Sequence, residues 1–355
     1  MQEHQRLATS GARGVTPFWL EGNLFLAVPQ LARDIAGVPA DMNGGDSDVA
    51  TLIYRWTEGR FALYQEVEGH GNEDAKVFQI GQRTFLAVAS IREGHGPYTF
   101  AVPSVVHEWD GQRFSPFQSL PCFAAKNVCH FTCAGHDFLA VANGVPDPRA
   151  DTASRLYRWE GDGFREFFSL PSRWAYGLAY AEVGPERVLG LTDHLDGSTL
   201  YRWTGEGFEP FQRLADPGAR ELTFFELDGT NYLAAANLTG TSTIFAWTGS
   251  SFRPWQSLEG PGGHNLRLFR QGGRVFLARI NFLTGDRCNP RPDLESLLYA
   301  WDSGRFIERE RFATFGGTGA ACFHVDGDAY LAVSNSLSRD LRFATDTVIY
   351  VLGKA

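Results

Sequence analysis

No stretch of about 18 apolar residues occurs in this chain, so the length of apolar helix that a bilayer span requires is missing. The opening residues, Met1-Gln2-Glu3-His4-Gln5-Arg6-Leu7, lack the basic segment followed by an apolar one that marks a secretory leader. Cysteine is scarce and odd in number. Cys122, Cys129, Cys133, Cys288 and Cys322 are irregularly spaced, which argues against a disulfide framework and for reduced thiols. These absences lead to the expectation of a cytoplasmic protein, or a secreted one if a leader has been removed. Positive charge is also short: 32 Lys and Arg stand against 41 Asp and Glu, a net charge of −9. Nucleic-acid binding needs a basic footprint, so no such partner is expected. No long run repeats its apolar residues with a 3.6 period, so helices should be rare. Phosphate-binding loops, dinucleotide fingerprints, Gly-x-Ser-x-Gly and paired Cys-x-x-Cys are absent.

What is present is aromatic and repetitive. The chain holds 28 Phe, 11 Tyr, 9 Trp and 39 Gly in 355 residues, a usage suited to many short strands joined by tight turns. An aromatic-Leu-Ala-Val-like run recurs seven times, from Phe25-Leu26-Ala27-Val28 and Phe85-Leu86-Ala87-Val88 to Tyr330-Leu331-Ala332-Val333. A second run ends in Trp56, Trp109, Trp159, Trp203, Trp247 and Trp301, spaced by 53, 50, 44, 44 and 54 residues, and its seventh copy fades to Ile349-Tyr350-Val351-Leu352. Each unit carries four strand-like runs, the fourth as in Phe208-Glu209-Pro210-Phe211-Gln212-Arg213-Leu214. This period predicts an all-β, seven-bladed propeller of four-stranded blades, a single domain over residues 1–355. Each repeated Trp is expected to be buried, worth roughly 2–3 kcal/mol. The last unit stops after its third strand. Glu3-His4-Gln5-Arg6-Leu7 matches Pro210-Phe211-Gln212-Arg213-Leu214, so the N-terminal strand should complete the C-terminal blade and remove its open edge.

The Phe-Leu-Ala-Val, Tyr-Arg-Trp and Phe-x-x-Phe-Gln-x-Leu strands, repeated in register, resemble the EAR or EPTP repeat over essentially the whole chain. The resemblance extends to the propeller of the leucine-rich glioma-inactivated proteins. It implies the propeller fold and a receptor-binding type of module without known catalysis. Fold alone does not carry function.

The first strand of each blade aligns on an aromatic: Phe18, Phe78, Phe131, Tyr180, Phe225, Phe269, Phe323. This set should narrow a channel unless it tilts into the core between blades. Strand alternation places Val15, Ala75, Val128, Gly177, Leu222, Leu266 and Ala320 on a face between blades. Four residues before the aromatic stand Gly14, Asp74, Asn127, Tyr176, Glu221, Asn265 and Gly319, a set of mixed polarity as in a channel lining. Lys76 and Arg267 lie one layer below, and Arg13, Lys126, Arg220 and His264 at the mouth. The loops between second and third strands are long in blades 1, 2, 3, 6 and 7, at 29–50, 91–104, 144–154, 282–296 and 336–345, which suggests a cleft on that rim.

Asp74 and Glu221 are the carboxylates of this set, and a hydrolase would use two that face each other; the resemblance to the animal propellers implies that acidic residues on these strands suit a calcium ion, although Lys76 and Arg267 would repel a cation. The cations Arg13, Lys76, Lys126, Arg220 and Arg267 with His264 could form a pocket that would favour a carboxylate or phosphate. Trp174 and Tyr176 break the repeat and could form a stacking wall for a flat ligand or fill a gap. Among His70, His95, His194 and His264 none stands at metal-ligand spacing. The Asn residues ending the second strands, with Asp193 in blade 4, should cap turns. The leading expectation is a non-catalytic binding propeller that recognises a protein partner or a small anionic or aromatic ligand at its loop-rich face. Ligand contacts would come from Lys76, Lys126, Asn127, Trp174, Tyr176, Arg220, Glu221, His264, Asn265 and Arg267. The alternative is a cofactor-free cyclase, lyase or isomerase at the channel mouth, with His264, Glu221 or Asp74 as catalytic group. No cofactor is required, calcium in the channel being the one conceivable ion.

Overall fold

Two-residue turns set the strand pairing. In Asp228-Gly229 both φ angles are positive, 51° and 75°, and in Asp326-Gly327 they are 53° and 83°. Such turns match the twist of the strands they join, and Gly at the second position takes the left-handed conformation freely. In a computed structural model that describes residues 1–145, 147–286 and 288–354, these hairpins build seven four-stranded antiparallel sheets and no helix. Among the described residues no helix is long and apolar enough to cross a membrane. The fold is a seven-bladed β-propeller.

Blades 1 to 6 each pair four strands in sequence, beginning at Thr16, Asn72, Ala125, Ala175, Ala219 and Gly263. Blade 6 departs from the expected plain loop: Thr284–Asp286 and Asn289–Arg291 fold as a small two-stranded ribbon. Blade 7 holds Gly317–Val325, Asp328–Asn335 and Thr347–Lys354, and Gln2–Leu7 is its fourth strand, with Gln5 opposite Ile349 and Leu7 opposite Thr347. Pro146 and Arg287, within two of the long loops, and Ala355 lie outside the described residues. The chain divides into two compact units, one of residues 1–75, 92–99 and 262–355, the other of residues 76–91 and 100–261.

Within each unit the core is built blade against blade. Val128 packs with Phe78, Phe85 and Val106, while Leu222 packs with Leu200 and Leu233. The aromatic of the first strand tilts into this core: Phe18 stacks on Phe25 at 5.4 Å, Phe131 on Phe138 at 5.5 Å and Phe323 on Tyr330 at 5.2 Å. The repeated tryptophans differ from expectation. All six are half-buried, and the buried member of each motif is the Phe that follows the turn: Phe61, Phe114, Phe164, Phe208, Phe252 and Phe306. Five of the six Trp lie edge-on to their Phe, at 4.9 Å for Trp56–Phe61 and 5.0 Å for Trp301–Phe306, and Trp247 is tilted on Phe252. The 2–3 kcal/mol of apolar burial therefore belongs to the Phe, and the Trp covers it.

A side-chain clasp recurs between neighbouring blades. Gln118 donates Nε2–H to Phe164 O at 2.7 Å and accepts Phe164 N–H at 2.8 Å. Gln212 does the same to Phe252, at 2.7 and 2.8 Å, and Gln5 to Phe61, both at 2.8 Å. A strand-edge N–H and C=O that would otherwise lose water without a partner are both satisfied.

Candidate functional site

The polar residues of the first strands fall into two groups with different fates. In the unit holding blades 1, 6 and 7 they are neutralised or committed to neighbouring backbone. Arg13 pairs with Glu73 at 3.3 Å and lies 5.4 Å from the Phe282 ring. Arg267 donates to Ala320 O at 3.1 Å, and Asn265 accepts Ala320 N–H at 3.2 Å. His264 Nδ1 stands 2.7 Å from Thr318 O, so it is the protonated nitrogen of that ring, and the ring meets Phe282 edge-on at 5.3 Å. Asp74 is buried and accepts Ala75 N–H at 2.9 Å. These bonds fix the first strands of adjacent blades. Arg267, expected in an anion clamp, gives its Nε–H to this backbone carbonyl.

The long loops of blades 1 and 2 are pinned together by a residue the sequence reading did not single out. Arg92 is buried, stacks 3.8 Å from the Tyr98 ring, and donates to Ser47 Oγ at 2.9 Å, Asn43 O at 2.5 Å and Gly44 O at 2.6 Å. Burial lowers the Arg92 pKa, and nearby Arg13 adds to this. Only an arginine presents donors in such a planar fork. The isolated Arg in a sequence gives no sign of this role.

In the unit holding blades 3, 4 and 5 the cations gather. Arg220 and Lys126 open the first strands of blades 5 and 3, and both lie against Tyr176 of blade 4, at 3.8 Å and 4.6 Å from its ring centre. Two glycines make this possible. A Cβ on Gly144 would stand 2.2 Å from Ala175 O and 2.8 Å from Lys126 Cδ. One on Gly177 would stand 2.6 Å from Arg220 O. Trp174 and His194 complete the group, ring to ring at 4.6 Å and 77°, with Tyr176 6.1 Å from His194. Arg220 Nη1 is 2.8 Å from His194 Nδ1 and also donates to Gly218 O and Ala219 O at 3.2 and 3.1 Å. Burial, then the charge of Arg220, then that of Lys126 push the His194 pKa down to about 4, with Asp193 opposing. A buried Arg and a Lys against one aromatic ring is a cation–π arrangement worth roughly 1–2 kcal/mol per cation.

Asp193 organises the backbone of this corner. It ends the second strand of blade 4 and is buried. One carboxylate oxygen accepts Arg173 N–H at 2.7 Å and Trp174 N–H at 2.8 Å. The other accepts Leu195 N–H at 2.8 Å and Asp196 N–H at 3.0 Å. The turn-capping role expected of this position holds, and here it also sets Trp174 and His194. Of the remaining expected contacts, Asn127 accepts Leu178 N–H at 3.0 Å. Lys76 and Glu221 are half-buried on the first strands of blades 2 and 5. Among the described residues no group of three His, Cys, Asp or Glu could hold a metal ion. A cavity of about 380 Å³ lies beside the same corner, lined by Asp151, Thr152, Ser172, Arg173, Asp196 and Arg213 among others.

The repeat itself is shared with known proteins. The EPTP domain family matches at residues 2–57, 113–160 and 207–248. These three stretches of the propeller are similar to EPTP repeats. Each matched segment begins with the fourth strand of one blade and ends with the third strand of the next, which is the phase that leaves Gln2–Leu7 to complete blade 7. The chain is 27% identical over 204 residues to the human thrombospondin-type laminin G domain and EAR repeat-containing protein, covering 56% of this chain and 28% of that protein. It is 25% identical over 178 residues to mouse leucine-rich repeat LGI family member 3, covering 49% of this chain and 27% of that one. The chain thus matches under a third of each relative's length. Among solved structures, the SapL1 lectin in complex with alpha methyl fucoside shares the fold, with a TM-score of 0.52 at 14% identity over 85% of this chain and 97% of that one.

Proposed function

We propose that this propeller is a non-catalytic binding module whose recognition surface centres on Lys126, Trp174, Tyr176, His194 and Arg220, and that it takes a small anionic or flat ligand, or an acidic group on a protein partner. One observation carries the reading: two cations converge on a single Tyr ring beside two further aromatics. A chain of net charge −9 that gathers positive charge at one corner favours a negative ligand there. The corner sits where second strands end and first strands begin, the rim on which loops vary from blade to blade. The reading includes no cofactor. Its compartment is the cytoplasm, a proposal that five free cysteines support.

A thermal-shift screen of aromatic carboxylates, phosphates and neutral aromatics tests it, run on the native protein, Tyr176→Ala and Lys126→Met. Shifts seen with the native protein and lost in both variants are expected. Ligands that stabilise all three proteins equally would move the binding surface elsewhere.

A further inference from the structure

We infer that the cavity of about 380 Å³ between blades 3 and 4 binds one small aliphatic carboxylate, held by the guanidinium of Arg213. None of the residues that line it belongs to the binding surface proposed above, so the two sites stand or fall separately.

The argument starts from the charges in the cavity wall, which are Asp151, Arg173, Asp196 and Arg213. Three of them are matched. Arg173 grips Asp196 with two bonds, Nε–H to Oδ2 at 2.7 Å and Nη2–H to Oδ1 at 2.5 Å. Asp151 accepts from Arg155 Nη2 and from Ala153 N–H. Arg213 is exposed and makes no hydrogen bond or ion pair among the described residues. It faces Asp196, whose pKa is lowered first by the bonds from Arg173 and to a smaller extent by the charge of Arg213. Two guanidinium groups thus act on one carboxylate, and one positive charge is left over.

The walls are set before any ligand arrives. Arg213 ends the fourth strand of blade 4, opposite Thr199, and the next residue, Leu214, donates N–H to Ser198 O at 2.8 Å. The turn that carries Asp196 hangs from Asp193, which accepts both Asp196 N–H and Arg173 N–H. On the blade 3 side, Thr152 Oγ1 donates to Ser172 O at 3.0 Å, and Ser172 Oγ lies 2.8 Å from Ser154 Oγ. A preformed site loses little ordering entropy when it binds. The fork of a guanidinium has donors only and fits a carboxylate in two bonds. Ala150, Ala153 and Pro171 supply aliphatic surface, and no aromatic ring lines the cavity, so a short carbon chain suits it better than a flat ring. One unmatched charge calls for a monoanion. A phosphate dianion would bring a second charge toward Asp151 and Asp196, a neutral amide would leave Arg213 unanswered, and a cation would find both carboxylates already bonded. The volume lies in the range of small-molecule sites.

The test follows the backbone and arginine Nε–H signals of the full, isotope-labelled chain by NMR during titration with isobutyrate, its neutral amide isobutyramide, and inorganic phosphate. Saturable shifts with isobutyrate are expected at Arg213, Thr152 and Ala153, with none from isobutyramide and weaker binding of phosphate. Because Arg213 is exposed, its replacement leaves the core intact. Arg213→Gln should weaken isobutyrate binding about five- to tenfold, the worth of a charge-assisted fork partly open to water. Arg213→Lys, which keeps the charge and loses the fork, should fall between. Tyr176→Ala should bind as wild type does. Equal binding by Arg213→Gln, equal shifts with isobutyramide, or phosphate bound as tightly as isobutyrate would each overturn the inference, and so would the absence of saturable shifts. A response lost in Tyr176→Ala and kept in Arg213→Gln would overturn it as well, by placing the carboxylate on the surface proposed above.

Discussion

Gln5, on the N-terminal strand, and Phe61, in the fourth strand of blade 1, are joined by two hydrogen bonds of 2.8 Å, one to each backbone polar group of Phe61. This is the same clasp that Gln212 makes to Phe252 inside a continuous stretch of chain. The N-terminal strand is therefore held as any other fourth strand is. Gln5→Ala removes both bonds and leaves a buried N–H and C=O without partners, at a cost of roughly 2–3 kcal/mol. Denaturant unfolding should show this loss, and Gln212→Ala should lose a similar amount. A negligible effect of Gln5→Ala with a large effect of Gln212→Ala would show the N-terminal strand to be loosely docked.

Asp193 stands where blades 3, 5, 6 and 7 have Asn143, Asn237, Asn281 and Asn335, and the difference is one of polarity. Asn237 accepts Thr239 N–H and Gly240 N–H on its oxygen and donates from Nδ2 to Asp216 O and Pro217 O. Asp193 keeps the accepting half and replaces the donating half with a second acceptor for Arg173 and Trp174. Asp193→Asn would place an amide N–H against those two N–H groups. A loss of about 1–3 kcal/mol is expected, along with altered fluorescence of Trp174. Asn237→Asp should also destabilise, since its carboxylate would face two carbonyls. Tolerance of both swaps would sink this account of the capping position.

The fold was legible because its signals repeat. The Phe-Leu-Ala-Val and Trp-ending runs recur with a blade period, and the match of Gln5 to Gln212 placed the N-terminal strand correctly in blade 7. Alignment on the first-strand aromatics also brought Lys126, Tyr176 and Arg220 forward, and these three do converge. What the sequence concealed were partners made by turns of chain far apart. Arg13 with Glu73, Arg267 with Ala320 O and Arg92 with Ser47 are pairings that no spacing encodes. Repetition also misled: a recurring Trp reads as core, whereas the adjacent Phe carries the burial. His194 was visible only as one loop histidine among four. Its role comes from an Arg 26 positions away, a contact set by the approach of blades 4 and 5.

Gly144 offers a direct check on how Lys126 is positioned. Gly144→Ala drives a methyl group to 2.2 Å from Ala175 O and 2.8 Å from Lys126 Cδ, distances that force the backbone or the lysine stem to move. Overpacking of this kind costs about 1–3 kcal/mol. Gly229→Ala, where nothing lies within 4 Å of the added carbon but φ is 75°, separates strain of the backbone from loss of space. Stability should fall in both, and the response to an oxyanion should fall in Gly144→Ala alone. A Gly144→Ala protein with native stability and native anion response would show that the stem of Lys126 is free to lie elsewhere.

Acid stability should carry contributions of opposite sign, with His107 and Asp216 the clearest pair. His107 is buried in the third strand of blade 2, where most blades have Tyr, and burial lowers its pKa to about 4. The unfolded chain binds this proton from about 6.5 downward and the folded chain only near 4, so stability present above 6.5 is lost as pH falls through that window. Asp216 behaves in reverse. Burial raises its pKa to about 6, although Ser198 donates to both its oxygens at 2.6 and 2.8 Å. The folded state holds that proton when the unfolded one has released it, so stability present below about 4 is lost as pH rises toward 6. Each effect amounts to roughly 2–3 kcal/mol at most, since one pKa unit is about 1.4 kcal/mol. His107→Tyr should therefore flatten the decline below pH 6.5, and Asp216→Asn should steepen the net decline between pH 6 and pH 4 by removing the opposing contribution. Urea midpoints measured from pH 4 to 8 for wild type and both variants give the two slopes directly. Parallel curves for wild type and Asp216→Asn would mean that its carboxyl titrates as an exposed one does, and that the Ser198 contacts keep it ionised.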